Sequence, residues 1–211
     1  MIPSREEWIA ALVERHGEER QNAFLNATVA ICGLGGLGSN IATALTRAGV
    51  GKLILIDFDK VDITNLNRQQ YKMSQLGKYK TESCLENIRE ISPYTEAIIH
   101  TVKLTEENIP EMLGEADIIC EAFDKADQKA MLVNTVLETF PDKYMLSGTG
   151  MAGFGSANTI QSRKVFGKFY LCGDEKSDVN DGIGLVASRV MVCAAHEAHM
   201  VLRLLSGETE V

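Results

Sequence analysis

Two basic side chains, Arg68 and Lys80, are the strongest sign of chemistry in this sequence. Arg68 lies in the polar stretch Asn-Leu-Asn-Arg-Gln that begins at Asn65, and Lys80 follows at the start of a predicted helix. A reaction at a nucleotide phosphate needs cations, because negative charge builds on the phosphoryl oxygens in the transition state. Either side chain alone could be a solvated surface charge, but the pair beside these asparagines favours a phosphate-binding site.

The glycines upstream of these cations have the spacing of a nucleotide-binding turn. Gly33, Gly35 and Gly38 form a G-x-G-x-x-G pattern after a short apolar run, and Gly36 and Ser39 lie within and directly after it. A turn without side chains lets backbone N–H groups approach a phosphate, and the following helix adds partial positive charge at its N-terminus. The pattern alone is weak evidence for NAD or FAD, so the residues beyond it must decide which nucleotide binds.

Two acidic residues follow predicted strands. Asp57 ends the second strand about 20 residues after the glycines, where an acidic side chain normally binds ribose hydroxyls. Asp124 lies just past the fourth strand, where a carboxylate could hold Mg²⁺ against nucleotide phosphates. Asp57 could also be an ordinary strand-end carboxylate, and Asp124 could cap the helix predicted from Ala126, with or without binding a metal. Asp127 is a weaker candidate for either role.

The elements that must position these residues alternate regularly. Short apolar strands near residues 28–32, 52–57, 95–102, 117–122 and 143–147 are separated by helical patterns, which predicts a parallel sheet with helices on both faces. A predicted helix over 4–17 precedes them. A hairpin over 157–163 and 165–171 and a closing helix over 182–205 follow. We therefore predict a single α/β domain over 1–211, doubly wound and Rossmann-like, whose mainly parallel sheet is extended by antiparallel strands. Its parts are the N-terminal helix, a nucleotide-binding half (28–147), and the hairpin with the closing helix (148–206).

Composition narrows the class of protein. The chain has 211 residues and a net charge of −8, which argues against a nucleic-acid backbone as the main partner. No apolar run is long enough for a membrane span, and the first 20 residues hold no signal-peptide pattern. The five scattered cysteines are typical of reduced thiols, so we expect a cytoplasmic protein without a disulfide framework.

Taken together, these motifs resemble the ThiF/MoeB family, adenylyltransferases of the ubiquitin-activating-enzyme superfamily. The similarity covers residues 17 to about 130 and the closing helix, and is strongest to the short ThiF proteins of thiamine biosynthesis. It implies a homodimer that uses ATP and Mg²⁺ to activate the C-terminal glycine of a small ubiquitin-like sulfur-carrier protein of ThiS type. The implied catalytic residues are Arg68, Lys80, Asp124 (also the Mg²⁺ ligand) and Asn65, and the implied nucleotide-binding residues are Gly33, Gly35, Gly36, Gly38, Ser39, Asp57, Asp59 and Gln69.

Several features depart from the family pattern. Cys172 stands without the two C-x-x-C pairs that often hold zinc in this family, so we expect no zinc. Cys172 is also the only cysteine placed to be reactive, although a packed thiol is favoured. His196 and His199 have metal-ligand spacing but no evident third ligand, which favours a structural role. The arginine that commonly reaches the partner's ATP has no clear counterpart; the options are Arg5, Arg15 and Arg20.

Three alternatives to the carrier-activating function stay open. The first is a related enzyme that acts on a carboxylate of a modified tRNA nucleoside, against which the acidic charge argues mildly. The second is a nicotinamide or flavin oxidoreductase, and the third is a nucleotide-binding module without turnover. If the carrier function holds, the glycines that follow Gly148 are candidates for a channel that admits the carrier's tail: Gly150, Gly153 and Gly155.

Overall fold

The computed structural model describes residues 2–211, in which helices and strands alternate through most of the chain. Three short 3₁₀ turns, at Ile63–Asn65, Met73–Gln75 and Ala157–Thr159, lie in the connections. In chain order the regular elements are α1 (Arg5–His16), α2 (Glu18–Asn26), β1 (Thr28–Cys32), α3 (Gly36–Ala48), β2 (Lys52–Ile56), α4 (Lys80–Ile91), β3 (Glu96–His100), α5 (Ile109–Leu113), β4 (Ile118–Glu121), α6 (Ala126–Thr139), β5 (Tyr144–Thr149), β6 (Gln161–Phe166), β7 (Phe169–Gly173) and α7 (Ala187–Leu205).

The strands form one sheet in the order β3-β2-β1-β4-β5-β7-β6. Every neighbouring pair is parallel except β6 with β7. The chain reverses its direction across the sheet between β1 and β4, and ligands in such sheets bind outside the carboxyl ends of the strands at that point. The predicted doubly wound, mainly parallel fold is confirmed, with one refinement: of the predicted hairpin only β6 is antiparallel to the rest.

Alternate side chains of the central strands enter two cores, as expected for a sheet covered on both faces. On one face Ile31 and Leu55 pack with buried residues of α3, α4 and α7. On the other face Cys32 and Ile56 pack with residues of α5 and α6. The two layers fix the strands rigidly, so the loops at their carboxyl ends start from well-defined positions. None of the helices in residues 2–211 is both long and apolar enough to cross a bilayer.

Local signals set several boundaries as predicted. Ser4 and Glu7 form a reciprocal capping box at the start of α1. Gly49 ends α3 in the left-handed conformation, with φ 80°. The helix predicted over 126–139 begins and ends at those residues.

Other boundaries differ from the prediction. Gly17, with φ 83°, separates α1 from a second N-terminal helix that the prediction missed. The closing helix begins at Ala187, because residues 174–186 form a turn-rich segment instead of a first helical turn. Asp174 starts this segment by accepting the N–H groups of Lys176 and Ser177, each at 2.9 Å. The predicted hairpin strands also lie a few residues later in the chain.

Candidate functional site

The glycine turn lies at the reversal point of the sheet and is packed too tightly for side chains. Gly33 has φ 94°, and a Cβ there would lie 2.8 Å from the carbonyl oxygen of Ala122 on the connection after β4. A Cβ on Gly38 would lie 1.8 Å from the carbonyl oxygen of Gly33. The turn therefore folds onto itself and onto the end of β4 only because both positions are glycine.

The N–H groups of the turn are free to bind a ligand. Among residues 2–211, the backbone N–H groups of residues 35–38 have no hydrogen-bond acceptor. The next one, of Ser39, donates to the carbonyl oxygen of Gly35 at 3.1 Å. These free donors cluster at the N-terminus of α3, where the helix dipole is positive. The arrangement fits the phosphates of a nucleotide.

Ser39 and Asn40 fasten the polar loop after β2 to this turn. The Ser39 hydroxyl donates to the carbonyl oxygen of Gly35 at 2.6 Å and accepts the N–H of Gln70 at 3.1 Å. The Asn40 amide donates to the carbonyl oxygens of Gly36 at 2.6 Å and Arg68 at 3.2 Å. Ser39, predicted to bind the nucleotide, thus connects the turn to the loop that carries Arg68.

Arg68 and Gln69 lie beside the turn with polar atoms left unpaired. The Cγ atom of Arg68 is 3.4 Å from the position of a Cβ on Gly36. Its Nη1 donates to Thr64 and Asn67, whereas its buried Nε has no partner. Gln69 is buried next to Gly35, and its Oε1 also lacks a partner. Since buried polar groups are nearly always satisfied, these two atoms indicate a place for a polar ligand.

Asp57, Asp59 and Lys80 form a connected group that is bonded to the turn at Leu34. The carboxylate of Asp57 accepts the N–H of Leu34 at 2.7 Å and that of Asp59 at 2.8 Å. The Nζ of buried Lys80 lies 2.9 Å from Asp59 and 3.8 Å from Asp57. Burial raises the pKa of Asp57, and the nearby Lys80 charge opposes that rise. Each Asp57 oxygen keeps a second lone pair, so ribose hydroxyls can still bind there.

Asn65 and Asp124 differ in how the structure uses them. The Asn65 side chain accepts the N–H of Asp62 at 3.1 Å and so shapes its own loop. Asp124 is exposed and makes no hydrogen bond within residues 2–211, and the cap position of α6 belongs to Lys125. The Cδ1 atom of its neighbour Phe123 is 3.0 Å from the position of a Cβ on Gly33. The described residues hold no cluster of three metal-binding side chains, but Mg²⁺ on a nucleotide commonly uses one or two carboxylates plus phosphates.

Glu121 is a buried residue that the sequence analysis did not single out. Its carboxylate accepts the N–H of Phe123 at 2.6 Å, the ammonium of Lys129 at 2.6 Å and the hydroxyl of Ser147. These bonds fix the short connection that presents Asp124. The available signal was an acidic residue that ends an otherwise apolar strand.

Arg189 and Asp174 form a second buried group, which joins residues 150–156 and 174–186 into one wall. The guanidinium of Arg189 donates to the carbonyl oxygens of Ala152, Gly155 and Ser156 and to the carboxylate of Asp174. A lone arginine in the first turn of an apolar helix was the signal for this group. The bonds hold the glycine-rich segment 150–156 and the segment 174–186 together.

The wall that Arg189 organises reaches the loop of Arg68. The N–H of Gly153 donates to the carbonyl oxygen of Gly184 at 2.9 Å, and the amide of Asn67 donates to that of Leu185 at 3.0 Å. Gly150, with φ 66°, lies so close to Asp174 that a Cβ would be 2.1 Å from its Oδ1. The glycines predicted for a channel therefore lie in a segment bonded to residues 174–186, and Leu185 in turn accepts a hydrogen bond from the Arg68 loop.

The remaining candidate residues lie outside this site. Cys172 is fully buried, and burial raises the pKa of its thiol to about 12, which fits a packed thiol. His196 makes a contact of 3.2 Å between its Nδ1 and the hydroxyl of Ser162. Arg5 lines a cleft of ≈ 340 Å³ at the amino ends of the strands, and Arg20 a cleft of ≈ 360 Å³ beside α2. Neither cleft is lined by the predicted nucleotide-binding residues.

Comparison with known proteins extends the resemblance to nearly the whole chain. The sequence model of the ThiF family matches residues 9–211 of this chain. The adenylyltransferase and sulfurtransferase MOCS3 of Caenorhabditis briggsae is 35% identical over 126 residues, which are 59% of this chain and 31% of the relative. The tRNA threonylcarbamoyladenosine dehydratase of Bacillus subtilis is 36% identical over 138 residues, 64% of this chain and 54% of the relative. The matches thus span well under two thirds of these relatives.

A solved structure shows the same fold over nearly all of this chain. The crystal structure of Escherichia coli tRNA N6-threonylcarbamoyladenosine dehydratase with ATP superposes with a TM-score of 0.87 at 22% identity. The alignment covers 98% of both chains. At this identity the likeness supports the fold, and the site must be argued from the residues described above.

Proposed function

We propose that this chain, which belongs to the ThiF family, uses ATP to adenylylate a carboxylate and releases pyrophosphate. One observation carries the proposal: the N–H groups of residues 35–38 have no acceptor within residues 2–211, and the buried Nε of Arg68, a side chain next to Gly36, also has no partner. Such donors suit a polyphosphate, whereas a hydride-transfer site needs a flat pocket for nicotinamide.

We also propose that the chain folds as one domain, forms a homodimer and acts in the cytoplasm.

The proposed reaction needs alignment and charge neutralisation more than acid–base catalysis. The carboxylate oxygen attacks the α-phosphorus of ATP, a carboxyl–phosphate bond forms, the α–β phosphoanhydride bond breaks, and pyrophosphate leaves with the electron pair. A carboxylate is already ionised and needs no base. In this scheme the free N–H groups, Arg68 and Lys80 neutralise phosphate charge, and Asp57 orients the ribose.

The residues present also fit a magnesium ion. Asp124 would hold Mg²⁺, whose charge supplies further neutralisation of the phosphates when bound. The carboxylate is exposed and makes no hydrogen bond within residues 2–211, which leaves it available for this role. Glu121 keeps the connection that bears it in place through its bond to the N–H of Phe123.

For the substrate, the first candidate is the carboxylate of a threonylcarbamoyl-modified tRNA nucleoside. It is supported by the sequence similarity to the B. subtilis dehydratase, which is 36% identical over 138 residues. The second candidate is the C-terminal glycine of a small ubiquitin-like carrier of ThiS type. The net charge of −8 and the glycine-rich wall at 150–155 favour this protein substrate over a nucleic acid.

ATP–pyrophosphate exchange tests the activity and the substrate together. Exchange that requires the modified nucleoside in tRNA supports the first candidate, and exchange that requires an intact Gly-Gly tail on a carrier supports the second. Asp124→Asn should lower exchange by orders of magnitude and shift the Mg²⁺ dependence, whereas Asp127→Asn, a matched exposed aspartate on α6, should not. The proposal would be rejected if neither substrate supported exchange, or if Asp124→Asn and Asp127→Asn changed the exchange rate equally. Difference spectra with NADH would reveal an oxidoreductase instead.

A further inference from the structure

Tyr71 is a buried phenol in the connection between β2 and α4 to which the proposed reaction gives no role. It is 8% exposed and belongs to the core cluster beneath α3 and α4. Its hydroxyl donates to the carbonyl oxygen of Leu34 at 2.7 Å, and the carbonyl oxygen of Lys80 is 3.4 Å away. Because a phenol carries one proton, the shorter contact is the hydrogen bond.

Leu34 is the residue of the glycine turn that is held from two sides. Its N–H donates to the carboxylate of Asp57 at 2.7 Å, and its carbonyl oxygen accepts from Tyr71. Its side chain is fully buried. Leu34 therefore has both backbone polar groups and its side chain fixed by the protein interior.

This anchoring sets the direction of the next N–H. The carbonyl of Leu34 and the N–H of Gly35 belong to one planar trans peptide, so they point in opposite directions. With the carbonyl directed inward at a buried phenol, the Gly35 N–H is directed away from the interior, and it has no acceptor within residues 2–211. Glycine has no side chain to restrict this peptide, so an external anchor is needed to orient it.

We infer that Tyr71 is a positioning residue, which orients the Gly35 N–H toward the phosphates of a bound nucleotide by holding the Leu34 carbonyl. The inference rests on the proposed use of ATP. Burial keeps the pKa of the phenol well above 10, so the group remains a donor wherever the protein is folded. The ring belongs to the same core cluster as Cys84 and Ile88 of α4.

Tyr71→Phe tests the inference because it removes the hydroxyl and keeps the ring. We expect the Kd for ATP to rise about five- to tenfold, while the Kd for adenosine, which has no phosphates, stays the same. Tyr170→Phe is the matched control. Tyr170 lies on β7, and its hydroxyl donates to the carbonyl oxygen of Thr209 at 3.0 Å instead of to the turn. Calorimetric titration or competition with a fluorescent ATP analogue gives both constants.

Hydrogen exchange followed by NMR gives a second readout that does not depend on activity. ATP should slow exchange of the Gly35 amide in the wild type and in Tyr170→Phe, but much less in Tyr71→Phe. An unchanged ATP affinity in Tyr71→Phe would overturn the positioning role. So would an equal loss of affinity for ATP and for adenosine, or an equal loss of ATP affinity in Tyr71→Phe and Tyr170→Phe. A wild type that binds no ATP would instead reject the proposed function, and this inference with it.

Discussion

Glu197 on α7 gives a prediction whose size follows from the structure. It is fully buried against the sheet, its carboxyl oxygens have no hydrogen-bond partner within residues 2–211, and a Cβ on Gly148 would lie 3.4 Å from one of them. Burial, reinforced by the charge of Glu121, raises its pKa from 4.5 to about 8, with Lys129 opposing the rise. The other titratable groups around it are the buried thiols of Cys120, Cys172 and Cys193.

The sign of the pH effect follows from proton binding. Between the ordinary pKa of 4.5 and about 8, the folded protein keeps a proton on Glu197 that the unfolded chain releases. The free energy of unfolding therefore falls as pH rises through this window, by about 1.4 kcal/mol per pH unit from this group. The full effect is on the order of 5 kcal/mol, of which roughly 2–3 kcal/mol lies between pH 6 and pH 8.

Glu197→Gln removes this titration while keeping the size of the side chain. We expect its stability relative to wild type to improve steadily from pH 6 to pH 8, by about 2 kcal/mol in total. Urea unfolding at half-unit pH steps measures the difference, and Glu138→Gln, an exposed residue on α6, serves as the control. If the Glu197→Gln and wild-type curves ran parallel across the range, the buried, protonated carboxyl would be refuted.

Three other predictions concern the site. Gly38→Ala places a Cβ 1.8 Å from the carbonyl oxygen of Gly33, so calorimetry should show loss of ATP binding, unlike Gly184→Ala, where nothing lies within 4 Å. Lys80→Met removes a charge that neutralises phosphate in the proposed reaction, and it leaves the buried carboxylate of Asp57 uncompensated. Pyrophosphate exchange should therefore fall by at least about a hundredfold, whereas Lys78→Met, at an exposed lysine, should have a smaller effect. Arg189→Lys loses the forked bonds at the wall, so the melting temperature should drop and the KM for the carboxylate substrate should rise more than that for ATP.

The sequence by itself determined the fold class and the position of the turn. Hydrophobic periodicity and chain-breaking residues such as Gly49 act over a few residues, so they predict helices and strands locally. The spacing of Gly33, Gly35 and Gly38 likewise encodes a local requirement for backbone without side chains. Boundaries shifted where a distant contact intervened, as at Asp174, whose bond to Arg189 holds the segment before α7 in a turn.

Only the tertiary structure decided which polar groups are engaged and which are free. Tyr71 bonds to Leu34, 37 positions away, and Asp57 to the same residue, 23 positions away. The burial of Glu121 and Glu197 could not be read from their neighbours in the chain either. Hydrogen bonding and desolvation depend on which atoms the fold brings within about 3 Å, and a one-dimensional pattern of residue types carries that information only where the partners are close in sequence.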